Sequence, residues 1–467
     1  MKGGVIMIVD TLIKNATIVS PEGMTQGHIG VKEGKIVAII QGASLLEAAQ
    51  TIDAGGKHVI PGVVDPHVHY GVYHSCEEEV YDLQCAAYGG TTTACSYVGL
   101  GATAEKGTYE GAFEKWKNTW EKNAVIDTIF HGGMCSEKNI DEVVTNAERY
   151  GITSYKFLMT CKGEEAKIVG GDTCDDGFLY SGFKSIARLG DKGLAMCHAE
   201  NIDIISRILP TVRKAGGQDL AAWAEARPGW VETLDVIRAI SLARVTECPL
   251  YLVHIHYPES LDAIADAQAQ GVNVVAETCP QYMVLNSASN IPGPLGKINP
   301  PLRDASCNEA LWEAINDGTV LFVGSDHCST TRSMAPDLWS APPGSPGVET
   351  LLPIMLSEGV NKGRITMEKL VEVLSTNNAK VFHIYPQKGA IQVGSDADMV
   401  IVDLDKTKKI SSKTQHYRVS DYTPYEGWEV RGWPVLTMLR GQVLVRDGEM
   451  IAKPGIGRYI PRSWIHG

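Results

Sequence analysis

No apolar run in the sequence reaches the roughly 18 uninterrupted residues that a membrane-crossing helix needs. The apolar patch in MKGGVIMIVDTLIKN is broken by Asp10 and followed by no small-residue cleavage site, so it reads as a strand rather than a secretion signal. Basic residues are in deficit. Only 42 Lys and Arg face 55 Asp and Glu, a net charge of −13. That argues against a nucleic-acid partner, whose binding draws most of its affinity from clustered cations. The eleven cysteines form no CxxC pair and no compact cluster. Such an odd, scattered set suits a reducing cytoplasm, with most thiols serving as small buried apolar groups. Internal repeats and low-complexity tracts are also missing. What remains is a globular chain of 467 residues, too long for one ordinary core, so a large domain with an appendage or two domains is expected.

Turn signals divide the chain into three stretches. From Thr11 to Gly56 short strands alternate with turns: TLIKNATIVS, then PEG, then HIGVKEGKIVAII with a hairpin at EGK. The C-terminal stretch behaves alike, since AIQVGSDADMVIVDLD and VLTMLRGQVLVRDGEMI are punctuated by Gly and Asp. Between them, apolar runs alternate with amphipathic stretches such as WVETLDVIRAISLARV, the βα rhythm of a parallel sheet. Eight strands can be read: HVIPGVVD (58–65), TTTACSYV (91–98), DTIFHGG (127–133), ITSYKFLM (152–159), GLAMCHA (193–199), LYLVHI (250–255), NVVAET (273–278) and TVLFVGSD (319–326). Eight strands with intervening helices fit a (β/α)8 TIM barrel better than an open doubly wound sheet. The expected architecture is α/β: a catalytic barrel over 57–389 and a smaller β-sandwich domain built from both chain ends, 1–56 and 390–467. SAPPGSPG (340–347) follows the eighth strand and should form a loop over the barrel mouth.

In such a barrel, reactive side chains gather at the C-terminal strand ends. His67 and His69 lie just past strand one, and an extended chain points residues two apart to the same side. Lys156 belongs to the end of strand four, His198 to that of strand five, His254 to strand six and Asp326 to strand eight. Singly, each has an ordinary explanation: a snorkelling lysine, a hydrogen-bonded histidine, a capping aspartate. Their joint convergence on successive strand ends does not. Neutral imidazoles are good ligands for zinc and similar ions, so the pattern points to a metal-dependent hydrolase.

VIPGVVDPHVH, YKFLM, CHAEN, VHI, ETCPQY, KINPPLR and GSDH resemble the successive motifs of the amidohydrolase superfamily. Within it the chain is most similar to the hydantoinase, dihydropyrimidinase and allantoinase enzymes, and IYPQKGAIQVGSDADMVIVDLD resembles the tail of hydantoinases. The resemblance implies two divalent metal ions, zinc with manganese or cobalt as alternatives. His67, His69 and Asp326 would hold the first and His198 and His254 the second. Lys156 would bridge them as N6-carboxylysine, because an ammonium has no lone pair to offer. Two adjacent cations would acidify a shared water and polarise the target carbonyl. Asp326, the catalytic residue, would then pass a proton to the departing ring nitrogen. The implied reaction opens a hydantoin-type cyclic ureide or imide to an N-carbamoyl amino acid-type product. Allantoin, a dihydropyrimidine or another purine- or pyrimidine-derived ring are the alternatives. Its partners would be a small cyclic amide and other copies of the chain, as a homo-oligomer and most simply a tetramer, with no nucleic acid and no membrane. A non-enzymatic dihydropyrimidinase-like scaffold fits poorly with retention of all six ligand positions.

Substrate contacts depart from the resemblance more than the ligands do. Where these enzymes usually place a tyrosine five residues after the bridging lysine, Cys161 stands here, a poorer donor to an oxyanion. Asn299 replaces the serine that often precedes PPLR, and its amide can both donate to and accept from an imide edge. Pro343 and Gly344 match a segment that contacts substrate through main-chain atoms. His256 makes a second HxH with His254 and is read as a polar substrate contact reaching the cavity, with simple packing as the alternative. Tyr155 and His327 should face away by strand alternation. A dihydroorotase is disfavoured because Tyr70, Gly71 and Val72, rather than an arginine, follow the first HxH.

Overall fold

The computed structural model describes residues 7–42, 46–72, 74–101, 109–162, 166, 174–332 and 335–463. The first six residues of the strand read at the start of the chain therefore lie outside the described residues. The N-terminal stretch folds as β1 (Met7–Ser20), β2 (Gly23–Lys32), β3 (Lys35–Ile40), β4 (Leu46–Asp53) and β5 (His58–Pro61). The central strands are β6 (Val63–Asp65), β7 (Thr91–Val98), β8 (Asp127–Gly133), β9 (Ser154–Leu158), β10 (Leu194–His198), β11 (Leu250–Leu252), β12 (Val274–Thr278) and β13 (Phe322–Val323). The C-terminal strands are β14 (Met399–Lys409), β15 (Glu429–Leu439), β16 (Gln442–Arg446) and β17 (Glu449–Met450).

β6 to β13 pair in sequence order as one parallel eight-stranded sheet. Its two ends meet through the parallel bridge between Val68 and His327, and the His69 amide donates to the His327 carbonyl at 2.7 Å. The sheet thus curls into the expected barrel. Side chains alternate across it. Val64, Tyr97, Ile129, Met196, Tyr251 and Phe322 share one buried cluster, while Val63, Val98, Phe130, Cys197 and Leu250 belong to another with the surrounding helices. β7 and β8 are buried along their whole length, and their small Thr, Ser, Ala, Cys and Gly residues pack beside Ile, Phe, Tyr and Val with no apolar–polar alternation.

The two chain ends hydrogen-bond into a single nine-stranded mixed sheet. The strands β17-β16-β15-β14-β5-β1-β2-β3 form its path, and β4 pairs with β1. β5 is the seam: it runs parallel to β1 and antiparallel to β14. The chain passes from this sheet into the barrel at Gly62, where a Cβ would lie 2.1 Å from Thr92 Oγ1. The run 58–65, read as one strand, is therefore two strands in two sheets. The C-terminal tail covers the N-terminal ends of β8 and β9: Tyr459 bridges Thr128, and Arg462 donates to Ser154 Oγ and the Phe130 carbonyl.

Strands six and eight are shorter than the apolar runs suggest. His254 and Asp326 adopt φ values of 44° and 48°, a left-handed conformation that ends an extended strand. The helical stretch over 367–381 contains a π segment, Glu372–Thr376, between α-helical turns. All described cysteines whose side chains are placed are free and buried. No described helix is long and apolar enough to cross a membrane.

Candidate active site

The C-terminal end of the barrel carries a tight cluster of nitrogen and oxygen donors. His67 Nε2 and His69 Nε2 lie 3.0 Å apart, and Asp326 Oδ1 is 3.4 Å from the first and 3.0 Å from the second. Lys156 Nζ stands 3.2 Å from His67 Nε2. His198 and His254 meet edge to face with ring centroids 4.5 Å apart, and the His254 ring stacks 5.7 Å from that of His67. All six candidate ligands are thus near neighbours.

Burial sets the electrostatics. It drives His67 and His254 well below the ordinary imidazole range, with Lys156 adding to the push on the first and His198 on the second. His69 is lowered in the same way, with Asp326 opposing. Neutral imidazoles are the lone-pair donors a metal requires. Burial also brings Lys156 down to about 8, against the pull of Asp326 and Glu277. A lysine so lowered has an accessible neutral amine, the form that can capture carbon dioxide.

Several observations test whether these residues fit a metal. His67, His69 and Asp326 each offer a ligand atom within 4.8 Å of the others. His254 Nδ1 is buried with no hydrogen-bond partner, and an orphaned buried nitrogen needs a ligand of another kind. Left-handed backbone at His254 and Asp326 costs about 1–3 kcal/mol each and clusters at functional sites. Finally, His67 Nδ1 lies 3.0 Å from Glu277 Oε2, the carboxylate–imidazole support common behind metal ligands. The donor set fits divalent cations.

Glu277 was given no role by the sequence reading, although ETCPQY ends strand seven. Its carboxylate is fully buried, accepts a 2.5 Å bond from the Tyr251 hydroxyl, and sits where a Cβ on Gly324 would come within 2.1 Å of Oε1. Gly324, the glycine of GSDH, therefore makes room for it. Glu200 is the second unread carboxylate. It lies 2.9 Å from His198 Nε2 and pairs with buried Arg227, so that burial, which raises its pKa, is outweighed by Arg227 and His198. It stands two residues after His198, and the spacing argument used for His67 and His69 applies equally to that pair.

A cavity of about 220 Å³ opens above the cluster, lined by His69, Lys156, His198, His254 and Asp326. Cys161, Asn299, Pro343 and Gly344 also line it, together with Val72, Leu100, Leu158, Thr160, Trp223, Lys297 and Cys328. The Asn299 amide oxygen is buried without a hydrogen-bond partner. At the loop, the Gly344 amide donates to the Lys297 carbonyl, and the Gly344 carbonyl accepts from Arg332 and Tyr422. Pro343 has no N–H, so its carbonyl is the main-chain group of this pair left for a ligand.

His256 stands apart from the cavity lining it was expected to join. Its Nδ1 lies 3.0 Å from Glu232 Oε2, its Nε2 is 2.9 Å from the Pro301 carbonyl, and its ring stacks on Tyr282. The buried Glu232 carboxylate turns the imidazole into the protein. Tyr155 points away from the cluster, donating to the Val143 and Ile152 carbonyls. His327 is buried beside Ser329 and Gly347.

Comparison with known proteins adds an independent line. The Amidohydrolase family model matches residues 233–444. An L-hydantoinase of Paenarthrobacter aurescens is 38% identical across 97% of this chain and 98% of its own length. A D-hydantoinase of Geobacillus stearothermophilus is 37% identical across 97% and 96%. Among solved structures, the L-hydantoinase (dihydropyrimidinase) from Arthrobacter aurescens superposes with a TM-score of 0.90 at 36% identity, covering 97% of this chain and all of that one. Kinship to enzymes of both stereochemical names is nearly equal, so it does not select an enantiomer.

Proposed function

We propose, from the premise that the chain belongs to the amidohydrolase family, that it is a cyclic amidohydrolase opening a hydantoin-type ureide or imide ring to an N-carbamoyl amino acid-type product. The convergence of His67, His69, Asp326 and Lys156 on one point below a cavity carries this reading. His67, His69 and Asp326 would hold one divalent ion, His198 and His254 a second, and Lys156 as a carbamate would join them, with zinc the best match to the nitrogen-rich set. When bound, such ions supply Lewis acidity, generating hydroxide near neutrality and polarising the ring carbonyl.

The protein's own groups then divide the remaining work. Asn299 Oδ1 and the Pro343 carbonyl accept from ring N–H groups and present one amide carbonyl toward the cluster. Attack forms a C–O bond and breaks the ring C–N bond. Asp326 takes the proton released from the attacking oxygen and returns it to the ring nitrogen, which leaves poorly without it. Glu277 holds His67 by its Nδ1 and Glu200 holds His198, so neither imidazole must reorient during turnover. Val72, Leu100 and Leu158 keep the walls apolar, which strengthens the polar contacts inside.

Incubation of metal-replete protein with hydantoins, allantoin, dihydrouracil and related imides, followed by mass spectrometry, tests the reading. Gain of one water by a hydantoin is the expected result. Gain by allantoin or dihydrouracil alone would replace the substrate, and no hydrolysis by a protein of full metal content would overturn the assignment. In solution the chain is expected to form a homotetramer, which light scattering coupled to size exclusion measures.

A further inference from the structure

Lys297 is a cavity-lining cation that ring opening leaves without a task. Its segment is extended, with φ −72° and ψ 110° at Lys297. Residues two apart therefore share a side, so Lys297 and Asn299 both face the cavity while Ile298 between them is buried. Two bonds hold the ammonium in place: Nζ donates to the Ala341 carbonyl at 2.7 Å and the Trp339 carbonyl at 3.2 Å. It also lies 4.4 Å from the centre of the Trp223 ring, and the Trp223 indole N–H in turn donates to the Ile298 carbonyl. The side chain is pre-positioned, and only 4% of it is exposed.

What it lacks is an anion. Among the described residues no carboxylate forms an ion pair with Nζ. Burial lowers Lys297 to about 8, and Arg332 and Arg227 press in the same direction, while Asp337, on an exposed loop and bound to Ser340, pulls less strongly the other way. Two carbonyls and an indole face offset only part of the cost of burying a positive charge. Arg227, by contrast, has the Glu200 carboxylate at 2.7 Å.

We propose that Lys297 is a specificity-determining residue that receives a carboxylate carried on the substituent of the substrate ring. The substrate class is then a cyclic ureide derived from an acidic amino acid, with its methylene stem against Val72, Leu100 and Trp223 and its charge at Nζ. This deepens, and rests on, the cyclic-amidohydrolase reading.

The test compares hydantoin-5-propanoate with its isosteric neutral carboxamide, two rings that differ in charge and not in shape. A charge-assisted contact should give the wild type at least about a tenfold higher kcat/KM for the carboxylate. Lys297→Met should bring that ratio close to one, and Lys297→Arg should restore part of it. A wild-type ratio of one or less overturns the proposal. So does a Lys297→Met variant that loses activity on both rings equally, because the lysine then serves only as a strut for residues 339–341. Should neither ring open, the hydantoin substrate assignment fails rather than this proposal, and calorimetric binding of the same two ligands to wild type and Lys297→Met still measures the ratio. Should the Met variant not fold, the wild-type ratio decides, and it is expected to fall with rising salt.

Discussion

Two buried clusters of carboxylates and a lysine stand at opposite ends of the barrel strands, and they behave in opposite ways. Near the start of β8, Asp127, Asp396 and Asp398 place their oxygens as close together as the ligand atoms at the barrel mouth. There Lys388 Nζ fills the centre, at 2.6 Å from Asp127, 2.6 Å from Asp398 and 3.0 Å from Asp396, and Arg440 adds a second cation on Asp127. Burial pulls Lys388 down, but Asp398, Asp127 and Asp396 outweigh it and hold the ammonium well above its ordinary range. At the mouth the carboxylates near Lys156 are fewer, histidines crowd it, and burial prevails. Proximity of ligand atoms does not distinguish a metal site from a structural pin. Charge balance does: one cluster is internally satisfied, and the other leaves His254 Nδ1 and Asn299 Oδ1 without partners.

The sharpest way to break this contrast is to remove each lysine. Lys156→Ala should abolish ring opening and the binding of paired metal ions while the protein remains folded, with partial rescue by small carboxylates. Metal content per chain, measured beside activity, checks both halves; full content and full rate would remove Lys156 from the centre. Lys388→Met should do the reverse. Three carboxylates would lose their shared cation, and breaking a buried ion pair costs about 3–5 kcal/mol, so the unfolding midpoint in denaturant should fall sharply while the folded fraction keeps its turnover.

A smaller effect is expected from the support behind the ligands. Glu277→Gln keeps the shape but replaces the carboxylate facing His67 Nδ1. Metal affinity and kcat/KM should drop by about 10–100-fold, with added metal recovering much of the rate. A purely structural role for Glu277 would instead show as lowered stability with unchanged metal affinity.

Much of this contrast was legible in the sequence, and the remainder has identifiable causes. The bounds read for β7 and β8 coincide with the structure because glycines mark them in the sequence: β7 lies between Gly90 and Gly99, and β8 ends at Gly132 and Gly133. β13 shrinks to Phe322–Val323, the two residues that pair with Glu277 and Thr278, a register that the run TVLFVGSD does not reveal. The mouth cluster was readable because its members lie at strand ends, a positional rule. The Lys388 cluster was not, since Asp127 lies 261 residues away along the chain and joins Lys388 only through packing of the β-sheet on the barrel. His256 was drawn to the cavity by spacing alone, while Glu232, on a helix 24 residues earlier, turns its ring away. Lys297 opens KINPPLR, and the alternation that pairs His67 with His69 also puts it on the same side as Asn299.

The subtlest difference between the two ends should appear in pH dependence. Lys388 has a raised folded-state pKa, so its contribution to stability is fully present below the ordinary lysine range and is lost as pH climbs through the higher folded value. Asp396 is the opposite case: burial raises it, Lys388 and Lys35 outweigh burial, and the net lowering gives stability present above the ordinary aspartate range and lost as pH falls through the folded value. Asp398, held up by burial despite Lys388, takes a proton earlier on acidification and partly offsets that loss. In Lys388→Met the orphaned carboxylates would also protonate as pH falls, relieving their repulsion. The stability gap between wild type and Lys388→Met should therefore be widest near neutrality, narrow toward acid, and narrow again only above the ordinary lysine range. Denaturant titrations of both proteins across pH measure it, and a gap that widened toward acid would mean the three carboxylates do not share the Lys388 charge.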